Sequence, residues 1–193
     1  MEATAAAATP PETQVAHYAA VAREIPVMVV TGPFIPRGSA FALETLKLVR
    51  DEVAGVYAVK DDMCGDFVRR MSLLVHDRWA VWSGGLKENH MNNLPYGCDG
   101  YLSTFITFKP QVAWDYWRAI EKNDLAKAKE IIRDYEMPYF DFIAKLPGGM
   151  DAGIHGTLEL FGVAPRWRRK PYHSLSDEEM EKLKGFLTDK GWL

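Results

Sequence analysis

Gly55-Val56-Tyr57-Ala58-Val59-Lys60 is a short apolar run of strand-forming residues closed by a lysine, with Asp61 and Asp62 directly after it and a helix-like segment beyond. Barrel and open α/β enzymes place their chemistry at the C-terminal end of a buried strand. An amine held there can lose solvation, drop from a reference pKa of ~10.4 toward neutrality and attack a ketone as a Schiff-base nucleophile. The alternative is a lysine that has left the strand and pairs with Asp61 or Asp62 in water.

The sequence on either side repeats the same alternation. Ile25 to Val30 is an apolar run ended by Gly32-Pro33, and Ala40 to Arg50 carries Phe41, Leu43, Leu46 and Leu48 as a helical stripe. A second strand is expected over Val53 to Val59, closing at Lys60, then a helix over Asp66 to His76. Trp79 to Trp82 is a third strand candidate ended by Ser83-Gly84-Gly85, with a helix from about Lys87 to Leu94. Cys98 to Ser103 is a fourth, weaker strand, and Pro110 can open a helix to about Lys122. Four strand–helix units in succession imply a parallel sheet covered by helices.

From Asn123 onward the pattern is helical. One helix is expected over Asp124 to about Lys145, ended by Pro147-Gly148-Gly149, and a second over Asp151 to Phe161. Ser176-Asp177-Glu178-Glu179 has the form of a capping box, opening a last helix to about Asp189. The expected organisation is a partial (β/α) barrel over 1–122 and a helical subdomain over 123–193. Four units are half of an eightfold barrel, which usually takes ~250 residues. Half a barrel leaves two open sheet edges and an uncovered apolar face, so the expectation is either that the chain pairs with another copy or that it is a truncated relative of a longer protein.

The 193 residues are 48% hydrophobic and 25% charged with a net charge of −3, which is globular composition without the basic footprint of nucleic-acid binding. Cys64 and Cys98 have no CxxC spacing, and the five histidines are scattered, so no metal site is expected. Two unrelated thiols, no apolar run of ~18 residues and no basic n-region before the Ala3–Ala8 stretch point to a cytoplasmic protein without a membrane partner.

In order and spacing, Ile25-Pro26-Val27, the Lys60 strand, Ser83-Gly84 and Gly97-Cys98-Asp99-Gly100-Tyr101-Leu102-Ser103 resemble the dihydrodipicolinate synthase/N-acetylneuraminate lyase family. So do Pro110, the Asp124 to Ile132 helix, Arg166 to Pro171 and the Ser176 capping box, and the resemblance runs from about His17 to Leu193. It implies a (β/α)8 barrel with a C-terminal helical subdomain, of which this chain holds the last four to five units, in a homo-oligomer. It also implies a lyase or aldolase acting on pyruvate or a related 2-oxo acid, with no added cofactor.

By the same resemblance Lys60 is the Schiff-base lysine, and Ser83, Gly84, Leu102 and Ser103 line the substrate pocket. The family's Tyr-Asn-x-Pro motif falls on Val30-Thr31-Gly32-Pro33, so Val30 stands where the family has its proton-relaying tyrosine. Thr31, Ser83, Ser103 or water would take over that relay. Arg37 is the candidate for the carboxylate-binding arginine, against an exposed loop arginine. The first three strands, with their paired Thr motif, would precede this sequence. Glu2 to Thr9 is either a remnant of the fourth strand or an irregular start.

Other groups have plainer expectations. Asp61 and Asp62 could tune Lys60 or act as a general base, but a loop-orienting role for Asp61 or Asp62 is preferred. His90 could face the substrate, but a helix surface or a subunit contact is preferred. Trp114, Tyr116, Trp117, Phe105 and Phe108 are expected in core and interface packing, and Glu159 with Arg166 and Arg168 as an ion pair fixing the tail. Two functions compete: a Schiff-base lyase, and a catalytically impaired half-barrel with a structural or carboxylate-binding role.

Overall fold

The computed structural model describes residues 9–193, which divide into two compact units, one ending at Leu102 and one spanning Ser103–Leu193. In the first unit α1 (Pro11–Ala22) precedes β1 (Val27–Val30), a 3-10 turn (Gly32–Arg37), α2 (Gly38–Glu52), β2 (Val56–Asp61) and α3 (Gly65–Val75). Then come β3 (Ala80–Ser83), α4 (Leu86–Asn93), a second 3-10 turn (Leu94–Tyr96) and β4 (Gly100–Tyr101). The four strands form one parallel sheet in the order β1-β2-β3-β4. Sequence order equals spatial order because each strand returns through a helix to the next position along, the winding of a (β/α) barrel.

Strand register places Val30 beside Lys60, Lys60 beside Trp82 and Trp82 beside Gly100. Side chains alternate between faces along each strand. Val29, Val59 and Val81 therefore share one face, where all three are fully buried in a core with Leu46 and Val49 of α2 and Val68, Met71 and Val75 of α3. Burying each such side chain contributes roughly 1.5–3 kcal/mol, which fixes the register against a one-residue slip. Met28, Lys60 and Trp82 share the opposite face, and Met28 and Trp82 remain about two-fifths exposed.

Some boundaries differ from the expected ones. Ile25 and Pro26 stay outside β1, Ile25 being well exposed, and β2 begins at Val56 because Gly55 takes a positive φ of 91° that ends the preceding turn. Cys98 and Asp99 precede β4 rather than belonging to it. Helix α1 was not anticipated, although Pro11 at its first position is a start signal. Of the Glu2 to Thr9 stretch, all but Thr9 lies outside the described residues, and Thr9 is not in a strand.

The second unit is helical: a 3-10 turn (Thr104–Thr107), α5 (Pro110–Glu121), α6 (Leu125–Ile131), a π turn (Ile132–Glu136), α7 (Met137–Ile143), α8 (Gly149–Leu160) and α9 (Asp177–Asp189). The expected single helix from Asp124 is thus interrupted. Pro138 cannot donate an amide to the carbonyl four residues back, and the wider π turn lies directly before α7. Phe105, Phe108, Tyr139 and Trp192 are buried together, whereas Trp114, expected in the packing, is half exposed. Tyr139 donates to Thr157 Oγ1 (2.9 Å), which ties α7 to α8.

Two local expectations hold here. Ser176 Oγ accepts from the Glu179 amide while the Glu179 carboxylate accepts from the Ser176 amide (2.7 Å), completing the capping box of α9. The guanidinium of Arg166 donates to Glu159 (3.1 Å) and to Asp177, and its backbone amide also reaches Glu159 (2.8 Å). Arg168 pairs instead with Asp151 (3.3 Å).

Candidate functional site around Lys60

The helix-side rung of Val29, Val59 and Val81 is succeeded, one step further along the strands, by a rung of Thr31, Asp61 and Ser83. All three are fully buried. A polar rung at this depth must satisfy itself, and it does. Asp61 Oδ1 accepts from Thr31 Oγ1 (3.2 Å) and from the Met63 amide (2.9 Å). Its Oδ2 accepts from the Cys64 amide (3.1 Å) and from Asn89 Nδ2 (2.9 Å) of α4. Asn89 Nδ2 also donates to Ser83 Oγ (3.0 Å), so one side chain links the ends of β2 and β3.

Lys60 lies on the other face of β2, and so does Asp62, two residues on. The Lys60 ammonium donates to both Asp62 oxygens, at 2.8 Å to Oδ1 and 3.1 Å to Oδ2. About a quarter of each side chain is exposed, so the pair is open to solvent on one side. The Asp62 amide donates to Thr31 Oγ1 (2.8 Å), which anchors the backbone that carries this carboxylate. The two aspartates, each a candidate for a loop-orienting role, therefore divide: Asp61 holds the loop, and Asp62 holds the amine.

Glycines make room for this pair. A Cβ on Gly84 would run into Asp62 Oδ1 and stand 2.6 Å from the Asp61 carbonyl and 2.8 Å from Lys60 Cε. A Cβ on Gly32 would lie 3.1 Å from Asp62 Oδ2. The Asp62 carboxylate occupies a slot between two glycines, one beyond β1 and one beyond β3. Gly84 is further pinned by its amide, which donates to the Asp61 carbonyl (2.6 Å). Thr31, Lys60, Ser83 and Gly84 are thus brought together at one end of the sheet.

The remaining candidates fall elsewhere. Arg37 donates to the Thr9 carbonyl (2.8 Å), and its guanidinium lies 3.7 Å from the centre of the Phe41 ring. Leu102 is partly exposed just past β4, where its amide donates to the Ser83 carbonyl (2.9 Å). Ser103 begins the second unit. Val30 takes the position beside Lys60 in the neighbouring strand, and no phenol stands there.

His90 is fully buried, not on a helix surface. Its ring lies 5.1 Å from that of Tyr101, and burial pulls its pKa down to about 4, so the ring is neutral at pH 7. Lys87 is buried on the same helix, with Nζ 5.6 Å from the Tyr101 ring. Lys87, Asn89, His90 and Asn93 are buried while Glu88 and Asn92 are exposed, and Asn89 is the member that bonds to the polar rung. Cys64, at a positive φ of 60° ahead of α3, has its thiol pushed up to about 11, first by burial and then by the charges of Asp61 and Asp62. Among the described residues no His, Cys, Asp or Glu cluster can hold a metal ion, and no helix is long and apolar enough to cross a membrane.

The model of the dihydrodipicolinate synthetase family matches residues 8–190. The chain belongs to that family. Among its curated relatives, the 4-hydroxy-tetrahydrodipicolinate synthase of Corynebacterium aurimucosum is 32% identical over 179 residues, covering 92% of this chain and 58% of the relative. A probable 5-dehydro-4-deoxyglucarate dehydratase of Paracidovorax citrulli is 28% identical, covering 91% and 58% respectively. The chain therefore spans a little over half the length of these dihydrodipicolinate synthetase family relatives.

Two solved structures agree on the fold. The dihydrodipicolinate synthase of Bacteroides thetaiotaomicron superposes with a TM-score of 0.79 at 17% identity, over 94% of this chain and 62% of that one. A prophage protein of the same family from E. coli K12, solved in complex with pyruvate, gives a TM-score of 0.76 at 21% identity, over 96% and 63%. The fold is accordingly a partial (β/α)8 barrel of the dihydrodipicolinate synthetase family, with C-terminal helices.

Proposed function

We propose that this chain carries the imine-forming lysine of a lyase that acts on pyruvate or a related 2-oxo acid, and that this lysine is Lys60. The observation that carries the assignment is its position. Lys60 is the penultimate residue of β2, on the face opposite the helices, its ammonium held at 2.8 Å by Asp62 and its stem packed against Gly84. An imine between Lys60 and the keto carbon would draw electrons from the adjacent carbon–carbon or carbon–hydrogen bond, which serves condensation, cleavage and dehydration alike. That breadth matches relatives named as a synthase and as a dehydratase. Thr31 and Ser83 would set the turn that carries Asp62, through Asp61, Asn89 and the Asp62 amide, rather than touch the substrate, since both are fully buried.

A second reading, carboxylate binding without chemistry, is favoured by Val30 at the position beside Lys60, where the resemblance leads one to expect a phenol. There the ammonium acts only as a charge. Borohydride trapping with pyruvate separates the two, read by intact mass and peptide mapping on wild type and Lys60→Ala. A reduced pyruvyl adduct on Lys60, absent from the variant, is the expected result. A folded wild-type protein that gives no adduct would exclude imine chemistry and leave the binding role.

A further inference from the structure

We propose that Asp62 is the catalytic proton carrier for Lys60, taking the ammonium proton and returning it to the substrate oxygen, a role resting on the assignment of Lys60 as the imine-forming amine. Three observations converge on Asp62. Its carboxylate contacts the Lys60 ammonium through both oxygens (2.8 and 3.1 Å). The slot between Gly32 and Gly84 leaves room for this carboxylate and would be closed by a side chain at position 84. Its neighbour Asp61 is already committed to Thr31, Met63, Cys64 and Asn89, all on the far side of the strand, which leaves Asp62 as the carboxylate that touches the amine.

The steps balance on a single carboxylate. Asp62 accepts a proton from the Lys60 ammonium, and the neutral amine adds its lone pair to the keto carbon while the carbonyl electrons move to oxygen. Asp62 gives its proton to that oxygen and takes one from the new C–N nitrogen, leaving a neutral carbinolamine. It then protonates the hydroxyl, which leaves as water as the nitrogen lone pair closes the iminium. Asp62 ends as the carboxylate it began as, and one water is released per ketone consumed. Two contacts of the same carboxylate, to nitrogen and to the nearby oxygen, suffice for all four transfers.

The test is the rate of cyanoborohydride-trapped adduct at Lys60 with pyruvate as the probe, measured on the whole chain for wild type, Asp62→Asn and Asp62→Gly. Asp62→Asn keeps the side chain's shape and should slow trapping at least about a hundredfold, the low end for losing a general acid–base. Asp62→Gly empties the slot and should be as slow, but added formate should raise its rate about tenfold or more where chloride does not. Rescue by a free carboxylate is a readout that a merely structural role would not move. Trapping in Asp62→Asn within about threefold of wild type, or no formate rescue in a folded Asp62→Gly, would overturn Asp62 alone. No adduct in wild type would overturn Asp62 and the assignment of Lys60 together.

Discussion

Gly84 leaves the Asp62 carboxylate the space that a side chain would take, and a Cβ at position 84 would overlap that carboxylate. The same Cβ would press on the Asp61 carbonyl at 2.6 Å, and that atom is backbone, held by the Gly84 amide itself. Gly84→Ala cannot be relieved by a rotamer change alone. It should cost about 1–3 kcal/mol, as overpacking does, and should displace the carboxylate from Lys60. Thermal denaturation gives the first effect and the rate of adduct formation the second. An alanine variant as stable and as reactive as wild type would show that the slot is not tight.

Asp61 and Asp62 should part company under mutation. Removing the Asp61 carboxylate with Asp61→Ala strands the Met63 and Cys64 amides and one Asn89 donor, each left buried or half-buried. With about 1–3 kcal/mol for each stranded donor, urea denaturation should show a loss on the order of 3 kcal/mol or more. Asp62→Ala, part-exposed and without such dependants, should lose under about 1 kcal/mol. Equal losses at the two positions would contradict the division of labour.

His90 sets a pH dependence with a definite sign. Its folded pKa, about 4, lies below the ordinary value of 6.5, so the unfolded chain binds the proton that the native chain refuses. The stability this contributes is complete above pH 6.5 and is lost as pH falls from there toward 4. At about 1.4 kcal/mol per unit the loss is on the order of 3 kcal/mol. Urea midpoints between pH 4.5 and 7.5 should fall on acidification for wild type, and the slope should flatten in His90→Gln. A slope unchanged in that variant would place the effect on other groups.

Arg166 should be far more costly to lose than one of its partners. The guanidinium is buried and donates to Glu159 and Asp177, but Asp177 is almost fully exposed. Arg166→Ala should destabilise by about 2–3 kcal/mol through the loss of a buried side chain that holds both carboxylates, whereas Asp177→Ala should cost no more than about 1 kcal/mol. Chemical denaturation of the two variants decides between this and an even sharing of the ion pair.

What the sequence disclosed, it disclosed through local and periodic signals. A strand with Lys60 near its end, a Ser176–Glu179 box and a Glu159–Arg166 pair each need only a few residues to be recognised, and each is present, although β2 runs one residue past the lysine to Asp61. The separate duties of Asp61 and Asp62 were within reach as well, because adjacent strand residues face opposite ways and residues two apart face the same way. Applying that period from Lys60 would have put Asp62 on its side. The burial of His90 and Lys87 was not within reach. Polar residues on a helix read as a solvated face, whereas here Lys87 and His90 are buried beside Tyr101 and Asn89 meets Asp61 and Ser83. The role of Asn89 is equally non-local, and only its place six residues after Ser83 in a polar cluster marks it.

The alternation at the end of β2 also makes the strand its own proofreader. Were β2 to shift by one residue against its neighbours, every side chain would change faces. Lys60 would then present an ammonium to the amides of the turn, donor against donor, and Asp61 would be thrust into the glycine-lined gap with no cation to meet it. The wrong pairing is thus penalised in charge as well as in grease. A chain that has found the right register has, by the same event, assembled its amine and its carboxylate.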